Sequence, residues 1–110
     1  SGDDISQLCK QPRPDHETGS RVVRGVTTLL AQLAQCHISH GDMKGTNFIQ
    51  SPQGIAVIDL DAMREHLSDR AFQRWRRRDL QRFMRNWQQC PDIDALFREA
   101  MQDNHRVTET

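Results

Sequence analysis

Three stretches of the chain place hydrophobic residues at helical spacing. The first covers residues 20–36 and predicts a long, largely buried helix, with Ser20 as its N-cap. The second predicts a helix from about residue 68 to residue 89, and the third predicts a helix over residues 93–101 with Asp92 as its cap. The apolar positions of the three stripes are Val22, Val23, Val26, Leu29, Leu30 and Leu33; Phe72, Trp75, Leu80, Phe83, Met84 and Trp87; and Ile93, Leu96, Phe97, Ala100 and Met101.

Two short apolar runs between the first and second stretches favour β-strands. They are residues 47–49 and 55–58, and the segment between them contains a proline and a glycine, which are typical turn residues. A hairpin brings its two outer ends together. We therefore expect the residues at those ends, Asn47 and Asp59, to be neighbours.

The two ends of the chain lack a clear period. Residues 1–19 contain Pro, Asp and Gly and favour a loose lead-in or linker, in which Ser1-Gly2 is interpreted as a tag remnant. Residues 103–110 are polar and are expected to form a frayed tail. The pattern as a whole predicts an α+β protein that is mostly α-helical, with one structural unit over residues 20–102.

Candidate chemistry is concentrated in residues 40–47, which read His-Gly-Asp-Met-Lys-Gly-Thr-Asn, and after the second predicted strand. Phosphoryl transfer from a nucleotide requires a carboxylate beside the acceptor hydroxyl, oxygen ligands for Mg²⁺ and a cation near the phosphate. Asp42 is the candidate carboxylate and Lys44 the candidate cation. Asn47 and Asp59 are the candidate metal ligands.

Asp61 lies two positions after Asp59. Side chains two apart on an extended segment point to the same side, so Asp61 is a further candidate ligand for the metal. His40 is interpreted as a structural residue of the loop, because Asp42 already serves as the base. An ordinary turn also uses Asp, Gly and Asn. The combination of the loop with two carboxylates after a strand favours the catalytic interpretation.

The phrases His-Gly-Asp-Met-Lys-Gly-Thr-Asn-Phe-Ile and Val-Ile-Asp-Leu-Asp-Ala-Met resemble the lipopolysaccharide core sugar kinases, the Kdo and heptose kinase family of the protein-kinase-like fold. The resemblance covers roughly residues 20–90. It implies ATP and Mg²⁺ as cofactors, Asp42 as the catalytic base or acceptor-orienting residue, and Lys44 as a γ-phosphate contact. It also implies Asn47 and Asp59 as metal ligands, and a lipopolysaccharide core glycolipid as the partner that is phosphorylated on Kdo or heptose.

The resemblance further implies the C-terminal lobe of a kinase-like fold, in which a small β-hairpin carries the catalytic and metal-binding motifs. The other lobe of such a kinase supplies a Gly-rich loop and a strand lysine. The only lysines are Lys10 and Lys44, and Lys10 has no strand pattern around it. We therefore expect the N-lobe to lie outside this sequence and the isolated fragment to be inactive. A His-Gly-Asp loop also occurs in atypical protein kinases and aminoglycoside phosphotransferases, which remain alternatives, as does a noncatalytic kinase-like binding module.

Asp79 lies beside the apolar stripe of the second predicted helix. It either accepts hydrogen bonds from backbone amides of the catalytic loop, as a helix Asp does in the kinase-like fold, or pairs with Arg76 or Arg82 on the helix surface. The sequence leaves both interpretations open.

Charge is unevenly distributed, although the formal net charge is zero. Seven arginines lie between residues 70 and 85, and Arg70, Arg74, Arg78 and Arg82 repeat every four residues. This stripe is either solvated or in contact with the phosphates of an anionic glycolipid or membrane surface. Zero net charge argues against nucleic acid as a partner.

Cysteine content and hydropathy bear on the location of the protein. Three cysteines without paired spacing favour a reducing compartment over a disulfide framework. No apolar run approaches the ~18 residues needed to span a bilayer. We therefore expect a cytoplasmic protein, with any membrane association peripheral on the inner face of the inner membrane.

Overall fold

The computed structural model describes residues 4–10, 16–51 and 54–109. Within these residues the α-helices are α1 (His16–Gln35), α2 (Asp69–Arg85) and α3 (Pro91–Glu109). The strands are β1 (Ile38–Ser39), β2 (Phe48–Ser51), β3 (Gly54–Val57) and β4 (Arg64–Glu65). Short 3₁₀ helices cover Ile5–Lys10, Gly45–Asn47 and Leu60–Ala62. The predicted α+β class, with mostly helical structure, is confirmed.

The strands form two antiparallel pairs, β1 with β4 and β2 with β3. The β2–β3 pair is the predicted hairpin, and Phe48 lies opposite Val57 at its open end. One more hydrogen bond follows there, since the backbone N–H of Ile58 donates to the carbonyl of Asn47 at 2.8 Å. The hairpin therefore places Asn47 beside the residue that precedes Asp59, as the sequence predicts.

The core lies between α1, α3, the hairpin and the C-terminal half of α2. Its centre is an aromatic group in which Phe97 contacts Phe83 with ring centroids 4.9 Å apart and Trp87 with centroids 5.2 Å apart. All three side chains are fully buried. Burial of a side chain of this size contributes about 1.5–3 kcal/mol each, so this group anchors the end of α2.

The predicted loose lead-in is partly wrong. Ile5 and Leu8, on the first 3₁₀ helix, are buried in the core. Cys9 is joined to Cys90 by a disulfide with a Cα–Cα distance of 5.7 Å, while Cys36 is free and exposed. The expectation of unpaired cysteines is therefore also wrong. The two half-cystines are 81 positions apart, and only the packing of the lead-in against the α2–α3 turn brings them together.

The first predicted helix begins too late. α1 begins at His16, so Ser20 lies inside it and is not its N-cap. A Cβ at Gly19 would contact the side chains of Ile93 and Leu96 at 3.4 Å. The sequence analysis interpreted Gly19 as part of a linker. It lies instead in the first turn of α1, where the absence of a Cβ lets α3 approach closely.

The other helix boundaries also differ from the prediction. α2 begins at Asp69, close to the predicted start, with Ser68 as its N-cap, but the helix ends at Arg85 and not near residue 89. α3 begins at Pro91, a residue that favours the first helical position, so Asp92 lies in the first turn and is not the cap. Residues 103–109, predicted as a frayed tail, belong to the end of α3.

Candidate active site

The loop at residues 40–47 follows β1 and is held from α2 by the carboxylate of Asp79. Oδ2 of Asp79 accepts a 2.8 Å hydrogen bond from the backbone N–H of His40, and Oδ1 accepts one of 3.0 Å from Gly41. Asp79 is only 5 % exposed, so water competes little for these bonds. Of the two interpretations left open by the sequence, the structure has the loop contact, and the described residues include no ion pair between Asp79 and an arginine.

The imidazole of His40 connects this loop to the segment after the hairpin. The backbone N–H of Asp42 donates to Nδ1 at 3.1 Å, and Nε2 lies 3.1 Å from the carbonyl oxygen of Ile58. An amide can only donate and a carbonyl can only accept, so the ring proton is on Nε2. Both ring nitrogens are thus engaged in a fully buried side chain. This geometry agrees with the structural role predicted for His40.

Gly41 is required by both its backbone conformation and its surroundings. Its φ is +91°, a region that residues with a Cβ rarely occupy. A Cβ at this position would lie 2.7 Å from Cβ of Ala62 and 2.8 Å from its carbonyl oxygen. The loop at residues 40–47 therefore packs directly against the 3₁₀ helix Leu60–Ala62.

Asn86 at the end of α2 holds the middle of the loop, and the sequence gave no indication of this role. Its Oδ1 accepts a 3.0 Å hydrogen bond from the backbone N–H of Gly45, and its Nδ2 donates to the carbonyl of Met43 at 3.0 Å. Nδ2 also donates to Phe83 at 2.8 Å, at the last turn of the helix. Because Met43 and Gly45 flank Lys44, this amide fixes the backbone on both sides of the lysine.

Asp42 and Lys44 lie at the surface of the loop, close to each other. Lys44 Nζ is 3.7 Å from Asp42 Oδ2, and the two side chains are 55 % and 31 % exposed. An ion pair this exposed contributes at most about 1 kcal/mol to folding. Both groups are therefore accessible to a ligand at little cost in stability.

Asn47 and Asp59 are brought together by the open end of the hairpin. Asn47 is buried, and its Nδ2 donates to the backbone carbonyl of Asp42 at 2.9 Å, which leaves Oδ1 as the free acceptor. No group in the described residues donates to the carboxylate of Asp59, which is exposed. The two side chains thus offer hard oxygen atoms of the kind that Mg²⁺ prefers.

The predicted arrangement of Asp59 and Asp61 is wrong. Asp59 has a left-handed backbone with φ 59° and ψ 70°, and Asp61 lies in the 3₁₀ helix Leu60–Ala62, so this segment is not extended. The argument that placed both carboxylates on the same side does not hold.

Within the residues that the structure describes, no group of three or more His, Cys, Asp or Glu side chains is arranged to hold a metal ion. Asn47 and Asp59 remain the candidate pair. A left-handed non-glycine residue carries strain of a kind that clusters at functional sites.

The arginines of α2 lack ionic partners in the described part of the chain. Its ion pairs join Arg21 to Glu17, His37 to Asp69, Lys44 to Asp42 and Arg98 to Asp94. None of the seven arginines between residues 70 and 85 takes part in them. Arg70, Arg74 and Arg78 of the predicted stripe are exposed, and Arg82 is half-buried.

Trp75 belongs to a surface cluster and not to the core, which corrects the prediction for this residue. The guanidinium of Arg78 lies 5.0 Å from its ring centroid and that of Arg64 lies 5.1 Å away. The ring of His66 stacks at 5.7 Å. The indole is half-buried, whereas Phe72 of the same predicted stripe is fully buried.

A comparison with protein families matches residues 2–109 to the model of the lipopolysaccharide kinase (Kdo/WaaP) family. The chain belongs to this family. No curated protein and no solved structure matches the chain. Membership in the Kdo/WaaP family supports kinase activity in general and lipopolysaccharide biosynthesis as its setting. The loop at residues 40–47 and Asp59 both lie within the matched range.

Proposed function

We propose that this protein is an ATP- and Mg²⁺-dependent phosphotransferase that phosphorylates a hydroxyl of Kdo or heptose in the lipopolysaccharide core. The observation that carries the proposal is that three candidate side chains share one fixed loop and that the hairpin places the segment of the fourth beside it. Asp42, Lys44 and Asn47 lie within residues 40–47, and the hairpin adds Asp59. The loop backbone is fixed from α2 by Asp79 and Asn86. Preorganised groups of this kind stabilise a transition state without further rearrangement.

In this proposal Asp42 orients the acceptor hydroxyl and accepts its proton. Its carboxylate is partly exposed and has only Lys44 beside it, so an acceptor can reach it. Lys44 turns its charge toward the transferring phosphate, which reduces the charge that develops on the phosphate oxygens. The ion pair between the two residues keeps both groups close before the substrates bind.

Asn47 and Asp59 are the residues proposed to hold Mg²⁺. Oδ1 of Asn47 and the carboxylate of Asp59, neither of which accepts a hydrogen bond from another described residue, match its preference for oxygen ligands, with several waters retained. When bound, the metal and ATP supply charge neutralisation and the phosphoryl group itself. Asp61 is kept as a proposed additional ligand through water, although its position no longer follows from an extended segment.

The proposal also covers the setting of the enzyme. We place the chain as the C-terminal lobe of a kinase-like fold, whose second lobe contributes a Gly-rich loop and a lysine to the nucleotide. The proposed location is the cytoplasm, at the inner face of the inner membrane, because the reaction consumes ATP. The cysteine content no longer supports this location, since Cys9 and Cys90 are paired.

The test measures transfer of labelled phosphate from ATP by the full-length gene product. Three acceptors are offered in parallel: dephosphorylated lipopolysaccharide core, a generic protein substrate and an aminoglycoside. The proposal expects label on the glycolipid alone, dependent on Mg²⁺. Label on protein or on the aminoglycoside alone would replace it with an atypical protein kinase or a small-molecule phosphotransferase. Absence of transfer to all three, with ATP still bound, would favour a noncatalytic module.

A further inference from the structure

Leu67 is the most exposed large apolar side chain in the described residues. Its relative exposure is 102 %, against 54 % for Leu60 and 46 % for Ile58. It lies in the turn between β4 and the N-cap of α2, at Ser68. A leucine that the fold leaves entirely in water gains free energy if a partner removes it from water.

Basic residues lie on both sides of Leu67 in the sequence. Over residues 64–74 they outnumber the acidic residues. Arg64 precedes Leu67 on β4, and Arg70 and Arg74 follow on the first turns of α2, all three exposed. The acidic residues of the same segment are Glu65 and Asp69. Asp69 lies 3.6 Å from the imidazole of His37 and accepts a hydrogen bond from Gln73.

Two arginines lie close to the ring of Trp75. Arg64 comes from β4 and Arg78 from the third turn of α2, and both guanidinium groups lie within 5.1 Å of the indole centroid. Tryptophan and arginine are both favoured at the headgroup level of a bilayer, where an amphipathic ring meets phosphate groups. The exposed Leu67 thus lies just before α2, and the half-buried indole packs against two guanidinium groups that form no ion pair with the other described residues.

We propose that this surface, which we call the β4–α2 face, binds a bilayer that contains anionic lipids. The face consists of Arg64, Leu67, Arg70, Arg74, Trp75 and Arg78. Leu67 enters the boundary between headgroups and acyl chains, and the arginines contact lipid phosphates. No helix in the described ranges is long and apolar enough to cross a membrane, and the proposed contact is with the surface only.

A nucleic acid would fit the arginines but not the leucine. Phosphate backbones are bound by positive charge, and the chain as a whole carries none in excess. A fully exposed leucine gains nothing from a phosphate backbone, whereas a lipid bilayer offers it an apolar phase. The β4–α2 face therefore favours lipid.

The test mixes the chain with vesicles of phosphatidylcholine alone or of phosphatidylcholine and phosphatidylglycerol in equal parts, and measures co-sedimentation and tryptophan emission. The chain has two tryptophans, and Trp87 is fully buried in the core, so a blue shift on binding reports Trp75. We expect binding and a blue shift with the anionic vesicles only. Trp75→Phe should abolish the shift.

Two variants test the residues. Arg70→Gln with Arg74→Gln should lower the partition coefficient about 25-fold, since each arginine contributes about fivefold. Leu67→Ser should lower it about fivefold or more. The matched control is Arg21→Gln with Arg24→Gln, which removes the same amount of charge from exposed positions of α1. It should change the partition coefficient less than twofold relative to the wild type.

Circular dichroism of each variant checks that the helices are intact. The proposal is overturned by equal binding to neutral vesicles, by an unchanged Trp75 emission, or by equal losses in the two double variants. It is also overturned if Leu67→Ser binds as the wild type does, or if an RNA oligonucleotide displaces the protein from the vesicles. Binding requires no phosphoryl transfer, so this test and the test of the proposed function fail independently.

Discussion

The carboxylate of Asp79 and the backbone N–H of His40 are joined by a 2.8 Å hydrogen bond across 39 positions of sequence. Asn86 makes the corresponding contact with Gly45 from the same helix, about two turns further on. One face of α2 thus holds both halves of the loop at residues 40–47. Asp79 fixes the first half and Asn86 fixes the second.

Asp79→Asn should lower the free energy of unfolding by about 2–3 kcal/mol. The substitution places an NH₂ group opposite one of two backbone N–H donors and removes the charge that strengthens both hydrogen bonds. Chemical denaturation measures the change. The matched control is Glu99→Gln, an exposed position on α3, which should stay within about 0.5 kcal/mol of the wild type. An Asp79→Asn variant as stable as this control would mean that the loop does not depend on the carboxylate.

Asn86→Ala and Asp79→Ala should each expose a different amide to hydrogen exchange. Asn86→Ala removes the acceptor of the Gly45 N–H, whereas Asp79→Ala removes the acceptor of the His40 N–H. The exchange rate of each amide is compared with its rate in the wild type. In each variant this ratio should be about tenfold higher for the amide that lost its acceptor than for the other amide. Gln89→Ala, at an exposed position just beyond α2, is the control and should change neither. Equal acceleration of both amides in both variants would show that the two contacts act as one unit.

Gly41→Ala should cost more stability than Gly54→Ala, although both glycines have positive φ. At Gly54 the φ is +132° and a Cβ would meet nothing within 4 Å, so only backbone strain of about 1–3 kcal/mol is expected. At Gly41 the same backbone strain applies, and the added Cβ would also collide with Ala62. Ala62 can give way only if the 3₁₀ helix Leu60–Ala62 shifts. Thermal unfolding of the two variants compares them directly. A smaller loss at Gly41 than at Gly54 would contradict the close packing described here.

The sequence predicted those parts of the site that depend on local pattern. Asn47 and Asp59 became neighbours because a hairpin of two short strands joins them, and alternation and turn residues reveal a hairpin. The apolar stripe of α2 likewise predicted the start of the helix near residue 68, because helical spacing is a local pattern.

The remaining features depend on contacts between distant segments. Asn86 has no distinguishing pattern, because its partners at Met43 and Gly45 lie about forty positions away and are backbone groups. The burial of Ile5 and Leu8 and the Cys9–Cys90 disulfide were missed for the same reason. The error at Asp61 has another cause: a single left-handed residue, Asp59, turns an apparently extended segment into a 3₁₀ helix.

The central claim, that the loop at residues 40–47 carries the phosphoryl-transfer site, is tested most directly by Asp42→Asn in the full-length gene product. Asp42 is partly exposed, and among the described residues its side chain pairs only with the exposed Lys44, so the variant should fold with nearly unchanged stability. Transfer of labelled phosphate from ATP to dephosphorylated lipopolysaccharide core should fall about 10²–10⁴-fold in kcat. The control variant Asp92→Asn, at an exposed position in the first turn of α3, should keep its rate. A folded Asp42→Asn variant that retains turnover within a few-fold of the wild type would contradict the role of Asp42 and with it the proposed catalytic loop.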